Sequence, residues 1–314
     1  RSDACFHSVR RVAGRHRPVA HATHSKVSNP RQSHPWHPSQ CLHPTVSALI
    51  KLSWPATLDY WEIPVLFEDD HLLALDKPGG LPTSPDRCDP QQPNLMKLLH
   101  SGITERASWA QQRRLEYLMN GHRLDAETSG VLLLVKTKPA LVALANLFGS
   151  EKPIHHYVAL ARGSPREERI EINVGIGPDP VRMGLMRVDS RLGKRSRTSV
   201  RVAERFPGYA LLHCEPQPCR THQIRVHLRH AGLPLVGDPL YGGPPLFLSQ
   251  LKRDYHAKKN RPERPLMGRV ALHAEELRLP HPVTGETLVV TAPWPKDLTV
   301  AVKYLRRFGG NQVG

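Results

Sequence analysis

The chain has 314 residues, is 39% hydrophobic, and carries a formal net charge of +16 with a pI near 10.0. That is enough apolar material for a sizeable core. No apolar run approaches the roughly 20 residues of a membrane-spanning helix, and the long apolar stretch of a signal peptide is missing too, so a membrane location is not expected and the cytoplasm is the default. Five cysteines without a CxxC pair argue against a disulfide framework or a zinc ribbon. The charge favours a polyanionic partner, because each neutralised phosphate releases counterions. Eight Lys and Arg face one acidic residue within residues 1–55, a net +7 that leaves +9 for the remainder. Nucleic acid is therefore preferred over a merely solvated basic surface.

Residues 1–58 read as a disordered basic segment rich in His, Pro and Ser, with 59–314 as the folded domain and order apparent from about Ile63. A stretch such as RQSHPWHPSQCLHP cannot bury enough surface to offset its ordering entropy. VLFEDDHLLALDKP predicts two strands about an Asp69-Asp70 turn, followed by a loop at Lys77-Pro78-Gly79-Gly80. The Pro-rich residues 82–94 read as an extended surface loop. VLLLV (131–135) is a continuous apolar run typical of a strand buried on both faces. PALVALANLFGSE has helical spacing, with Pro139 suited to the first turn and Gly149 to the end. HHYVALARG predicts a strand, TSVRVAERFPGYALLHCEP a hairpin about Pro207-Gly208, and RTHQIRVHLRHAG a helix stopped by Gly232. LHAEELRLP and TLVVTAP flank a turn at Val283-Thr284-Gly285, and VAVKYLRRF closes as a helix. Strands outnumber helices without a regular βαβ order, so the fold class is α+β around a mixed sheet.

Three clusters carry chemistry. His122-Arg123-Leu124-Asp125 lies at the mouth of the buried strand 131–135, where a rigid scaffold can hold polar groups in reach of solvent. Composition alone favours a plain turn there, since Asp125, Thr128, Ser129 and Gly130 are good turn formers. Arg220-Thr221-His222-Gln223-Ile224-Arg225 opens the second cluster. On a helix His222 and Arg225 share a face, and arginine offers a permanent charge with planar donors. The plainer reading is an amphipathic helix with a solvated basic side. His222, His227 and His230 do not share one face, which makes zinc a poor reading. Tyr157, early in a strand, is either core or a stacking platform for a base.

Taken together these segments resemble the RluA family of RNA pseudouridine synthases. HRLDAETSG (122–130) is similar to the family's HRLDxxTSG, and CRTHQIRVHLRHAGLPLVGDPLYGG (219–243) to its GRTHQIRVHLxxxGxPIxGDxxYG. LALDKPGGLPTSP (73–85) resembles DKPxGLxxxP, and LHAEELRLPHPVTGETLVVTAPWPKDL (272–298) the C-terminal LHAxxLxFxHPxTGxxxxxxAPxPxDL. The four follow in family order between about Ile63 and Arg307. Two positions depart: Cys219 stands where the family usually has Gly, so the turn must tolerate a Cβ, and His155 replaces a usual Lys or Arg, giving a charge conditional near neutral pH.

The resemblance implies the pseudouridine synthase fold, a central mixed and mainly antiparallel sheet flanked by helices and loops, in an enzyme that isomerises uridine in rRNA or tRNA. No ligand cluster of convincing spacing and no phosphate-cradling glycine loop occurs, so neither metal nor cofactor is expected. The resemblance also implies Asp125 as the catalytic carboxylate, Arg225 as the cation paired with it, and Tyr157 as a ring packed on the target base that can assist proton removal from C5. His122, Arg123, Arg220, His222 and Gln223 are expected to bind substrate, and the protein is expected to act as a monomer. Two rivals are a nucleoside-hydrolysing glycosidase, which calls for two carboxylates and a positioned water, and a non-catalytic RNA-binding protein, which leaves HRLD without a purpose.

Overall fold

The computed structural model of the chain describes residues 49–54, 58–85, 92–256 and 261–309. The first strand, β1 (Leu49–Trp54), alternates as LIKLSW and buries Ile50 and Leu52 while Lys51 and Ser53 stay exposed. It pairs antiparallel with β2 (Asp59–Glu68). Residues 49–58, assigned by sequence to the disordered segment, thus include a core strand. The composition of its neighbours hides a six-residue alternation that its burial then rewards. The expectation for residues 1–48 lies outside the described residues, as does part of the 82–94 loop. A chain starting at Asp59 is expected to lose about 3–6 kcal/mol against one starting at Leu49, from re-exposing Ile50 and Leu52. Paired urea melts check this; equal midpoints would show that β1 is dispensable.

β3 (Leu72–Lys77) follows the Asp69-Asp70 turn, where Asp69 Oδ1 accepts from the backbone N–H of His71 and Leu72. Then come α1 (Leu95–Thr104), capped by the Asn94 side chain, and α2 (Ser108–Gln112). After β4 (Met119–Asn120), β5 (Ser129–Val135) is buried at every residue, as its unbroken apolar run predicts. α3 (Lys138–Gly149) has Pro139 in its first turn and Thr137 as its cap. β6 (Ile154–Arg162), β7 (Arg169–Asn173), and the two-stranded β8 (Ile176–Pro178) and β9 (Met186–Val188) lead to the hairpin of β10 (Arg197–Phe206) and β11 (Tyr209–Gln217). α4 (Gln223–His230) ends before Gly232, whose positive φ of 75° suits glycine. β12 (Leu272–Pro280), β13 (Thr287–Thr291) and α5 (Lys296–Phe308) complete the described chain.

The main sheet runs β1-β2-β3-β5-β12-β6-β11-β10-β7, with β13 beside β12 and β4 beside β5. β5 and β12 pair in parallel and the other described pairs are antiparallel, a mixed sheet as expected. One face packs under α1, α2 and α4 through Leu75, Leu132, Leu99, Ile224 and Leu228. The opposite face is covered by α3, through Ala140 and Leu144, and by α5, through Leu298, Val302 and Leu305. No helix among the described residues is long and apolar enough to cross a membrane.

A single row of paired residues crosses the middle of the sheet. Gly130 of β5 stands beside Ala274 of β12, Ala274 beside Tyr157 of β6, and Tyr157 beside Cys214 of β11. Gly130 has φ +111°, and a Cβ there would run into the Ala274 backbone. Glycine is thus required for the chain to enter β5 from the 122–128 loop.

Candidate active site

The 122–128 loop is pinned from both sides. Thr83 Oγ1 donates to the Leu124 carbonyl (2.9 Å) and accepts from the Leu124 N–H (3.2 Å). The Ala126 carbonyl accepts from the Gly80 N–H (2.8 Å) and from Lys77 Nζ (3.0 Å). Lys77 is fully buried, and its Nζ also donates to the Pro78 and Leu81 carbonyls, both at 2.7 Å. Burial pulls the Lys77 ammonium down to about 7 against the opposing charge of Asp125, while three carbonyl acceptors match all three ammonium protons. Beyond the loop, Arg269 donates to the Glu127 carbonyl (3.0 Å) and to Ser129 Oγ (3.2 Å), and is itself fixed by Asp297. Both neighbours of Asp125 are therefore held by backbone hydrogen bonds, which fixes the origin of its side chain independently of any charge on it.

Asp125 keeps 22% of its side chain exposed. Arg225 Nη1 lies 3.4 Å and His222 Nε2 3.9 Å from its Oδ2. Both donors converge on one oxygen, and Oδ1 has no hydrogen-bond partner among the described residues. The sequence brings Asp125 and Arg225 together across 100 positions as expected.

Arg225, however, has a closer partner. Asp238 Oδ2 accepts from its Nε at 2.8 Å and Oδ1 from its Nη2 at 2.9 Å, a bidentate pair in which both side chains are buried. Burial opposes the guanidinium charge, and the Asp238 hydrogen bonds and charge outweigh it, so the Arg225 pKa is raised. Asp238 also accepts from the Tyr241 N–H, and Arg225 lies over the Tyr241 ring at 4.9 Å. Sequence reading gave roles to neither Asp238 nor Tyr241. Their signal was present in GDPLYGG, where an aspartate and a tyrosine sit in an otherwise turn-like string.

The remaining expected residues divide. Arg123 is exposed beside Asp125 without an ion pair among the described residues. Arg220 donates to the Arg195 carbonyl (3.0 Å) and is half-buried. Gln223 is buried, with its amide taken by the Arg220 N–H, the Arg197 carbonyl and Thr198 Oγ1, so it ties α4 to β10. His122 is likewise engaged by the protein's own groups. Its Nε2 accepts from the Leu133 N–H (3.0 Å), and its ring packs against Phe148 and His155. Burial holds the His122 imidazole at about 3. His227 is likewise committed, to Thr198 Oγ1 and the Val174 carbonyl.

Tyr157 is buried, with its Oη 3.7 Å from Cys219 Sγ. Burial first, then Cys219 and the charge of Asp125, push the phenol well above its ordinary value. It therefore stays protonated at neutral pH. Cys219 does not have a positive φ, which is why the turn accepts a Cβ where the family usually has Gly. Cys219 is exposed as a residue, but desolvation of its sulfur beside Tyr157 raises the thiol to about 11.

His155 stacks on Tyr157 at 6.1 Å between centroids and is buried, with no hydrogen-bond partner for Nε2 among the described residues. Burial, then the charge of His156, lower its pKa to about 4, so it is uncharged at neutral pH, contrary to the conditional charge expected from sequence. Because the unfolded chain binds this proton near 6.5 and the folded chain only near 4, the unfolded state holds more protons between those values. Stability is expected to fall as pH drops from about 6.5 to 4, by on the order of 3 kcal/mol from this residue. His155→Phe should flatten that part of the stability curve in urea melts; an unchanged slope would place the titration elsewhere.

A sequence model of the family described as RNA pseudouridylate synthase matches residues 71–230. The ribosomal large subunit pseudouridine synthase D of Nitrosomonas europaea is 34% identical over 252 residues, covering 79% of this chain and 67% of that protein. The ribosomal large subunit pseudouridine synthase C of Salmonella typhi is 34% identical over 246 residues, covering 77% and 70%. Among solved structures, human RNA pseudouridylate synthase domain containing 1 aligns with a TM-score of 0.54 at 26% identity, over 74% of this chain and 84% of that one. With the motifs in order on this mixed sheet, the chain belongs to the RluA family and is an RNA pseudouridine synthase.

Proposed function

We propose that the domain beginning at β1 isomerises uridines of large-subunit ribosomal RNA, with Asp125 as the reacting carboxylate. The observation that carries the residue assignment is the geometry of Asp125. It is a part-exposed carboxylate on a pinned loop, with Arg225 and His222 facing Oδ2 and with Oδ1 unpartnered among the described residues. The reaction breaks N1–C1′, turns the uracil and joins C5 to C1′, while C5 loses a proton and N1 gains one. Asp125 Oδ1 meets C1′ in this scheme, as nucleophile or as the opposing charge. Arg225 steadies Oδ2. Tyr157 packs on the base, and exposed Arg123 holds flanking phosphate once the nucleotide has left its stack.

A hydrolytic glycosidase requires a second carboxylate free to act as acid or base. The neighbouring carboxylate, Asp238, is buried and engaged at both oxygens by Arg225, which argues for isomerisation. The ribosomal target is taken from similarity to relatives named for the large subunit. Incubating the protein with unmodified large-subunit rRNA and with unmodified tRNA, then mapping pseudouridine, tests it. New pseudouridine in the rRNA is expected; modification of the tRNA alone would overturn the target.

A further inference from the structure

His222, the residue before α4, has φ 55° and ψ 15°, a left-handed conformation that costs a non-glycine residue roughly 1 kcal/mol or more. Its ring is held at Nδ1 and faces the carboxylate with Nε2. Nδ1 is 2.8 Å from Tyr241 Oη, and Nε2 faces Asp125 Oδ2 at 3.9 Å. The Tyr241 ring meets the imidazole edge-on at 5.6 Å.

The hydrogen-bond pattern around Tyr241 decides which imidazole nitrogen bears the proton. Tyr241 Oη accepts from the Met186 N–H of β9 at 2.9 Å. The phenol proton then needs an acceptor, and among the described residues the only partner besides Met186 is His222 Nδ1. If Nδ1 carried the proton, the phenol oxygen would take two donors and its own proton would have nowhere to go, a penalty inside a side chain only 2% exposed. The chain of donation is therefore Met186 N–H to Tyr241 Oη, Tyr241 O–H to His222 Nδ1, with His222 Nε2–H turned toward Asp125.

We propose that Tyr241 is a positioning residue that acts through His222, holding the imidazole in the tautomer whose Nε2–H faces Asp125 Oδ2. The proposal rests on Asp125 being the reacting carboxylate. A neutral N–H at that place complements Arg225 Nη1, which faces the same oxygen, so that both donors gather on Oδ2 and leave Oδ1 clear. The other tautomer would set a lone pair against the carboxylate. Burial lowers the His222 pKa, which keeps the ring neutral at neutral pH. The link to β9 also ties the β8–β9 ribbon to His222 through two hydrogen bonds.

Tyr241→Phe removes the hydroxyl and keeps the ring that faces His222 and Arg225. Single-turnover rates at saturating enzyme on the RNA substrate are expected to fall about tenfold, with RNA Kd unchanged. In a His222→Gln background the same change should cost nothing further, because there is no tautomer left to set. An equal drop in both backgrounds would mean Tyr241 acts through packing or β9, and no drop in the wild-type background would remove its role; either overturns the proposal. A second readout is independent of activity. Nitrogen NMR of full-length protein labelled at histidine, with His222 identified by its absence in His222→Gln, should show Nε2 protonated and Nδ1 unprotonated. A protonated Nδ1 overturns the proposal. Asp125→Asn run in parallel separates the two levels: an active Asp125→Asn removes the catalytic reading, whereas an inactive one beside a normal Tyr241→Phe removes only the relay.

Discussion

Asp125→Asn is expected to lower pseudouridine formation by on the order of 10³ or more while leaving RNA affinity nearly unchanged. Asparagine has the same shape and keeps an acceptor oxygen for Arg225. The loop is held through the backbone of Leu124 and Ala126 by Thr83, Gly80 and Lys77, none of which senses the charge at position 125 through a hydrogen bond. The substitution thus removes the charge facing C1′ and, with it, part of the support for the Lys77 ammonium, while the Thr83 and Gly80 hydrogen bonds still hold the loop. RNA affinity rests on the basic surface, of which Arg123 beside the site remains in place. Tritium release from RNA labelled at uridine C5 reads the chemistry, and filter binding reads affinity. Activity within about tenfold of wild type would sink the assignment.

Arg225→Lys is expected to cost about 10²–10³ in the single-turnover rate at saturating enzyme, again with little change in RNA binding. Arg225 is 3% exposed, so it does not reach phosphate, and the solvated reading of this side of α4 fails. Its guanidinium serves two carboxylates at once: Nε and Nη2 go to Asp238, and Nη1 to Asp125. A lysine ammonium is a point charge on a flexible stem and cannot span both. Asp238 is wholly buried and has the stronger need for a counter-charge, so lysine should settle there and leave Asp125 without its donor. The companion change Asp238→Ala strands the Arg225 charge and should cost about 3–5 kcal/mol of stability. A normal saturated rate for Arg225→Lys would show that the Asp125 contact is incidental.

Much of the fold was legible because local pattern and tertiary role agree. The unbroken VLLLV run became the fully buried β5, Pro207-Gly208 turned the β10–β11 hairpin, and Gly232 ended α4. Asp125 could be placed at a strand mouth because Gly130 and the apolar run mark where that strand begins. β1 was hidden by the His- and Pro-rich composition before it, although Ile50 and Leu52 alternate with polar residues. α1 gave no clear signal behind a Pro-rich loop, yet Leu95, Leu98 and Leu99 form its buried stripe below an Asn94 cap. The role of Asp238 depends on a contact with Arg225 on another element, which no spacing rule supplies. The hydrogen bonds of His122 and Gln223 to backbone groups were hidden for the opposite reason: adjacency in a motif says nothing of side-chain direction.

The most direct measurement is a nucleoside balance. Unmodified large-subunit rRNA labelled in its uracil rings is incubated with the wild-type protein, then digested and resolved into uridine, pseudouridine and free uracil. Isomerisation with the base retained predicts that pseudouridine rises mole for mole with the uridine lost, that no free uracil appears, and that Asp125→Asn forms none. Release of free uracil, or pseudouridine formed equally well by Asp125→Asn, would contradict it.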